Sequence, residues 1–291
     1  MTLETVKKCA QTYWRLTLLA GLIVFASIVF YTAFAPRVHP LRFVMLDIGQ
    51  GDALYIESPT GKHIIFDGGP GSALLPQLSR QMPLFDRHID LIVVTNPDKD
   101  HFEGFIPLIK KYKVDAEMES GVPAPENSLW NELERQLKNH NIPQFVARAG
   151  QRIEIGGGAY IDILFPDRDV SGLSHNNGSI VAKLVYGKTS VMLTGDSPQL
   201  IEHYLIEKDP DVLASSILKV GHHGSRSATS DEFVKAVSPQ VAVISAEKNN
   251  TYGHPHKETI DTLNKEKVSY LVTMNEGAIV YESDGLKFVR K

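Results

Sequence analysis

Leu91-Ile92-Val93-Val94-Thr95-Asn96-Pro97-Asp98-Lys99-Asp100-His101 is the stretch on which the reading of this chain turns. Residues 91–94 are wholly apolar and mostly β-branched, the composition of a strand buried on both faces. That strand runs directly into two carboxylates and an imidazole. Apolar residues then resume at helical spacing over 102–112, with Phe105, Leu108, Ile109 and Tyr112 on one side. Carboxylates so close repel and raise each other's pKa, and a divalent cation removes the repulsion. One acid here would serve as a helix cap; two acids with His101 exceed that role.

Similar punctuation recurs downstream. Asp196 ends Val191-Met192-Leu193-Thr194-Gly195-Asp196, where Ser197 and Pro198 also suit a helix start. Gly221-His222-His223-Gly224-Ser225 follows the largely apolar run 217–220, and Gly253-His254-Pro255-His256 follows 241–245. Four of the 11 histidines therefore fall in two glycine-punctuated loops, each after a strand. Neutral imidazoles are common ligands for zinc and other transition metals, and loops at one end of a sheet bring distant ligands together.

Further strands are expected at 43–46, 53–56, 63–66, 161–164, 180–185, 190–193, 217–220, 241–244, 269–272 and 279–281. Helices are expected at 127–139, 197–207, 230–237 and 257–265. Hairpins come first, then strand–helix alternation, then hairpins again, so the fold class is α/β with two sheets covered by helices. Gly156-Gly157-Gly158 reads as a hairpin loop. The sequence has no Walker-type phosphate loop and no strand-linked Gly-x-Gly-x-x-Gly.

Composition bounds the rest. The 291 residues are 43% hydrophobic and 22% charged, which excludes a disordered chain. One cysteine excludes an internal disulfide framework and a multi-cysteine zinc site. From Leu16 to Pro36 the chain reads LTLLAGLIVFASIVFYTAFAP without a charge. At about 1.5 Å per helical residue this spans the roughly 30 Å hydrocarbon core, with Tyr13, Trp14 and Tyr31 as interfacial aromatics. The stretch exceeds a cleavable signal's apolar region and ends in Pro36, so an uncleaved single anchor is expected. Lys7, Lys8 and Arg15 precede it against Arg37 and Arg42 after it, which places the large domain outside the cytoplasm and Cys9 inside. The organisation is then a short segment 1–15, a membrane helix 16–36 and one domain 37–291. Removing the +2 of residues 1–36 from the net −4 leaves the domain at −6, so a polyanion would need a local basic patch. Lys110, Lys111 and Lys113, with Lys219, Arg226 and Lys248, are the candidates. Nothing in the sequence fixes an oligomeric state.

The ordered pieces Leu46-Asp47-Ile48-Gly49-Gln50-Gly51-Asp52, Phe66-Asp67-Gly68-Gly69, Thr95 to His101, Asn176-Asn177-Gly178-Ser179, Leu193-Thr194-Gly195-Asp196, His222-His223-Gly224-Ser225 and Asn250 to His256 carry a resemblance. The chain resembles the metallo-β-lactamase fold superfamily, and within it the C-terminal hydrolase domain of ComEC-type DNA-uptake competence proteins. The resemblance implies an αββα sandwich with one or two divalent metal ions, zinc or manganese, at the edge between the sheets. It implies Asp98, Asp100, His101, Asp196 and His254 as metal ligands, with His222 or His223 binding metal or supplying a proton. Asn177 and Ser225 would hold a substrate oxygen. Asp47, Gln50, Asp52 and Asp67 would brace the loops beneath the metal. The superfamily signature begins with histidine where this chain has Asn96, a weaker ligand through its carbonyl oxygen, and relatives commonly have two glycines in place of Glu103-Gly104. A single-metal enzyme, an oxygen-rich site favouring Mn²⁺, or a metal-binding module without turnover would each follow.

Such a site supports hydrolysis. Asp100 would orient the attacking hydroxide, and His222 or His223 would protonate the leaving group. The expected substrate is a phosphodiester, with single-stranded DNA favoured by the resemblance.

Overall fold

The computed structural model describes residues 3–34 and 39–291. The chain divides into two units, residues 1–38 and 39–291. The first is a helix over Leu3–Phe34, in which the side chains described from Leu16 to Phe30 are uncharged and exposed. Among the described residues no helix is long and apolar enough to cross a membrane. Ala35 and Pro36, the end of the expected span, and the Cys9 side chain lie outside the described residues.

Two large sheets build the second unit, and a third, two-stranded sheet pairs His88–Ile89 with Lys113–Val114. In spatial order the first runs Phe288–Arg290, Ile279–Ser283, Leu41–Met45, Leu54–Glu57, His63–Phe66, Leu91–Val94, Glu117–Glu119 and Gln144–Val146. Its strands are antiparallel as far as His63–Phe66 and parallel beyond it. The second runs Ser269–Val272, Val241–Ile244, Ile217–Lys219, Thr189–Leu193, Val181–Tyr186, Ala159–Phe165 and Arg152–Gly156. Here the first four are parallel and the rest antiparallel.

Three apolar layers explain the stacking. Phe43, Ile56, Phe66 and Val93 of the first sheet pack with Ile161, Leu184, Val191 and Val243 of the second. The outer face of the first sheet, including Val44, Ile65 and Ile92, is covered by helices Leu74–Gln81, Phe105–Ile109 and Ser128–Asn139. The outer face of the second, including Met192, Leu218 and Ile244, is covered by Gln199–Lys208, Asp231–Val237 and Lys257–Lys265. Leu91 and Val93 point between the sheets while Ile92 and Val94 point to the helices. Period-2 alternation with both faces covered is why that run is apolar throughout. The expected two-sheet α/β architecture is borne out.

The helix expected over 102–112 forms as two short pieces, Lys99–Phe102 and Phe105–Ile109. Gly104 lies at the break because its backbone passes against residue 68: a Cβ there would lie 2.0 Å from the Gly68 carbonyl oxygen. Glu103 takes its own part by accepting from the Gly71 N–H at 2.9 Å. Six of the strands among the described residues went unanticipated, among them Glu117–Glu119, whose acidic sequence hides its burial.

Glu117 has no exposed surface, and neither carboxyl oxygen has a hydrogen-bond partner among the described residues. Burial, aided by Glu119 and Glu134, pushes its pKa well above the usual range. A carboxyl raised on folding leaves stability intact below pH 4.5 and erodes it as pH rises towards the folded value. Glu117→Leu is therefore expected to gain about 1–3 kcal/mol at pH 8 and little below pH 4.5. Urea unfolding at both pH values checks this; equal gains at both would refute it.

Candidate metal centre

The site forms where parallel strands of both sheets end on one edge, the position at which open α/β sheets bind ligands. Asp67 follows His63–Phe66, and residues 96–101 follow Leu91–Val94. Asp196 follows Thr189–Leu193, the histidine pair follows Ile217–Lys219, and His254 lies beyond Val241–Ile244. Backbone clasps hold these loops together. The Asp52 N–H donates to the Asp100 carbonyl at 3.1 Å, Gly68 N–H to that of His101, and His222 N–H to that of Gly195 at 3.2 Å. Gly51, at φ +134°, permits the first of these contacts, because a Cβ there would lie 2.4 Å from the Asp100 carbonyl oxygen. The Ser245 hydroxyl donates to the Gly51 carbonyl at 2.6 Å and ties one sheet's loop to the other's.

At the centre lie Asp100, His101, Asp196 and His223. His101 Nε2 is 3.1 Å from Asp196 Oδ2. His223 Nε2 is 3.4 Å from Asp100 Oδ2 and 3.7 Å from Asp196 Oδ2. Each of these imidazoles has a buried carboxylate behind it. His101 Nδ1 donates to Asp67 Oδ2 at 2.9 Å, and His223 Nδ1 faces Asp52 Oδ1 at 3.3 Å. Asp67 is fixed in turn by the Thr95 N–H at 2.8 Å and the Thr95 hydroxyl at 2.7 Å. A carboxylate on the far nitrogen of each imidazole is the usual support of a metal-ligating histidine.

The donor set fits a divalent cation. Ligand atoms of Asp100, His101 and His223 lie within 4.8 Å of one another, as do those of Asp52, Asp196 and His223. His101 Nε2, His223 Nε2 and Asp196 Oδ1 are buried without a hydrogen bond among the described residues. Orphaned buried polar atoms are costly, and a cation would satisfy them together. Two imidazoles and two carboxylates suit zinc, manganese or iron.

Electrostatics in the metal-free domain follow from the crowding. Burial disfavours the His101 imidazolium, but Asp196 and Asp67 outweigh it and hold the pKa well above the ordinary value. The same contest at His223, against Asp196 and Asp52, ends at about 9. Asp196 is penalised by burial yet held well below the carboxylate range by His101 and His223. His222 is shifted down by burial. His254 is shifted down to about 4 by burial and by the neighbouring His223 and His222.

Other expected site residues stand outside the close ligand groups. Asp98 does not cap the helix it precedes; it lines the same cleft as the cluster, its Oδ1 2.7 Å from His175 Nδ1, and belongs to none of the close ligand groups among the described residues. Asn96 is fully buried, its carbonyl accepting from the Asp98 N–H at 2.8 Å and its amide donating to the Ser179 hydroxyl at 3.2 Å. Both ends of that side chain are spent within the protein. His254 lies beside the cluster, with Gln50 Nε2 at 3.4 Å from its Nδ1 and its ring centroid 5.6 Å from that of His222. Ser225 turns into its own loop, meeting the Ser227 hydroxyl at 2.9 Å. Asn176 rather than Asn177 approaches His222, with 3.5 Å between its amide nitrogen and Nδ1. Asp47 is half-buried and joins none of these contacts.

Lys219 is the largest departure. Read as part of a basic surface, it is fully buried, because strand alternation turns it inward beneath the cluster. Its ammonium pairs with Asp52 and donates to the Gly195 carbonyl at 2.8 Å. Neither Lys219 nor His175 carried a local signal; each acquires its partner only across the sheets.

Above the cluster opens a cleft of about 690 Å³, bordered by Gln50, Lys99, Asp100, His222, Tyr252 and His254. A two-sheet α/β sandwich carrying an Asp/His cluster at this edge defines a class of metalloproteins. The family model described as the metallo-beta-lactamase superfamily matches residues 46–247, and the chain belongs to that superfamily. It is 30% identical over 262 residues to ComE operon protein 3 of Bacillus subtilis, covering 81% of this chain and 32% of that protein. It is 29% identical over 242 residues to Recombination protein 2 of Haemophilus influenzae, covering 80% and 28%. These relatives bear out the expected resemblance to ComEC-type competence proteins, and the chain spans about a third of their length. Among solved structures, Igni18, a metallo hydrolase from Ignicoccus hospitalis, superposes with a TM-score of 0.54 at 14% identity, covering 83% of this chain and 99% of that one. CmlA, a diiron β-hydroxylase from Streptomyces venezuelae, gives 0.53 at 14% identity, covering 87% and 55%. Both likenesses concern the fold.

Proposed function

We propose that the domain is a metal-dependent phosphodiesterase acting on nucleic-acid strands. The observation that carries this reading is the close set of ligand atoms on Asp100, His101 and His223, with Asp196 Oδ2 3.1 Å from His101 Nε2, beside an open cleft lined by Asp100, Asp196 and His223. A divalent ion held there, zinc or manganese, would supply hydroxide at neutral pH and take up charge on a phosphoryl oxygen. Asp100, its side chain 34% exposed, is placed to orient the attacking water. His223, with its nitrogens turned to Asp52 and to Asp100 and Asp196, is committed to the cluster. His222 instead reaches the cleft, its side chain 26% exposed and Nε2 3.6 Å from Asp196. It is the imidazole placed to move a proton at the leaving oxygen. Nucleic acid is favoured over other phosphodiesters by the name of one relative, Recombination protein 2.

One metal ion per chain is the expected stoichiometry, since Asn96 and Asp98 are engaged by the protein at the positions where the superfamily signature begins. Equilibrium dialysis against Mn²⁺ or Zn²⁺ should retain about one ion in the parent domain and none in Asp196→Ala. Hydrolysis of single-stranded DNA should fall at least a hundredfold in Asp100→Asn, in line with the usual contribution of a proton-handling group. Equal rates for parent and variant would sink the enzymatic reading. Metal retained with no turnover in either would point to the alternative, a binding module whose catalysis was lost with Asn96.

The same reading places a membrane anchor from Leu16 to Pro36, supported by its uncharged composition, with the domain outside the cytoplasm. Protection of the domain from protease in right-side-out vesicles would contradict that orientation.

A further inference from the structure

Most large apolar or aromatic side chains near the cleft are buried, yet Tyr252 stands 65% exposed on its border. Its ring lies nearly parallel to that of His254, with an interplanar angle of 19° and centroids 5.6 Å apart. The ring is thus flanked by an imidazole while most of the side chain stays exposed. The loop that presents it is tied to itself. Asn250 accepts from the Tyr252 N–H at 3.1 Å and the His254 N–H at 2.9 Å, and donates to the Glu247 and His254 carbonyls at 2.9 and 2.6 Å. His256 Nε2 closes the turn 3.1 Å from the Tyr252 carbonyl.

An exposed aromatic ring that is held in place loses little freedom on binding a flat ligand. Aromatic platforms of this kind hold nucleobases irrespective of sequence, because every base has a π-face. We propose that Tyr252 is a stacking subsite for a nucleobase of the strand whose phosphodiester enters the cleft. The inference rests on the phosphodiesterase reading, and it adds that the enzyme recognises a base as well as the backbone. Lys99, exposed on the same cleft and without an ion-pair partner among the described residues, is available to the adjoining phosphate.

The test compares an oligothymidylate strand with an abasic strand of equal length. Binding is measured by fluorescence anisotropy on the chelated protein and turnover on the metal-loaded protein. Tyr252→Ala should weaken binding of the base-bearing strand by roughly 5- to 150-fold and leave the abasic strand unchanged. Tyr252→Phe and Tyr252→Trp should stay close to the parent. Turnover should show the loss in KM for the base-bearing strand, with kcat on the abasic strand unaltered. A parent that binds both strands equally, or a Tyr252→Ala loss equal on both, overturns the proposal. If the parent hydrolyses neither strand, the phosphodiesterase reading fails, while the binding comparison still decides the stacking subsite. An unchanged melting temperature in Tyr252→Ala confirms that the variant is folded.

Discussion

Lys219→Met is expected to destabilise the chelated domain by about 3–5 kcal/mol, the usual result of removing one partner from a buried ion pair. The ammonium of Lys219 sits beneath the cluster against Asp52, neither group having exposed surface. Burial alone would raise the Asp52 pKa, but Lys219 and then His223 overcome it and bring it to about 2. A carboxyl depressed on folding contributes stability above its unfolded value of 3.8 and loses it as pH falls towards 2. Methionine keeps the length of the lysine stem, so the variant isolates the charge from the packing. Asp52 is left buried with His223 as its remaining close cation. Urea unfolding at pH 7 measures the effect, and a loss below about 1 kcal/mol, the size of an exposed pair, would show that Lys219 does not neutralise Asp52. Adding Asp52→Leu to Lys219→Met should recover part of the loss, because removing both partners removes the orphaned charge.

Metal uptake at pH 7 is expected to release close to two protons. His101 and His223 are held as imidazolium ions in the metal-free domain, the first well above its ordinary pKa and the second at about 9. A ligating imidazole must be neutral at the coordinating nitrogen, so each gives up a proton when the ion binds. Apparent affinity should then rise by up to about a hundredfold per pH unit between pH 6.5 and 9. Stability of the chelated domain moves the opposite way. A histidine raised on folding contributes fully below its unfolded value of 6.5, and that contribution is lost as pH rises through 9 for His223. Calorimetric titration in buffers of different ionisation enthalpy counts the protons. A count near zero would mean that the imidazoles are neutral before metal arrives, or that they do not bind it.

Much of the scaffold is legible in local sequence. The strands at His63–Phe66, Leu91–Val94, Val241–Ile244 and Ser269–Val272 coincide with apolar runs bounded by turn residues. Helix Lys257–Lys265 likewise matches its periodicity. Glu117–Glu119 and Arg152–Gly156 were hidden because their residues are polar or charged, and pairing with neighbouring strands overrides so weak a local preference. Within the site, the motif order places Asp100, His101, Asp196 and the histidine pair at strand ends, where the structure finds them.

The sequence by itself determined the class of chemistry: which acids and imidazoles follow which strands, and that their charges call for a cation. Only the tertiary structure decided their division of labour. His222 and His223 are neighbours in the chain, yet both lie in the left-handed region, at φ 47° and 55°. That loop sinks His223 between Asp52 and Asp196 and leaves His222 on the cleft. Asp98 was drawn to His175 and Asn96 to Ser179, partners more than seventy residues away. Lys219 turned from a surface cation into the buried counterion of Asp52. Each of these outcomes depends on contacts between loops of different sheets, and such contacts exist only once the two sheets have packed.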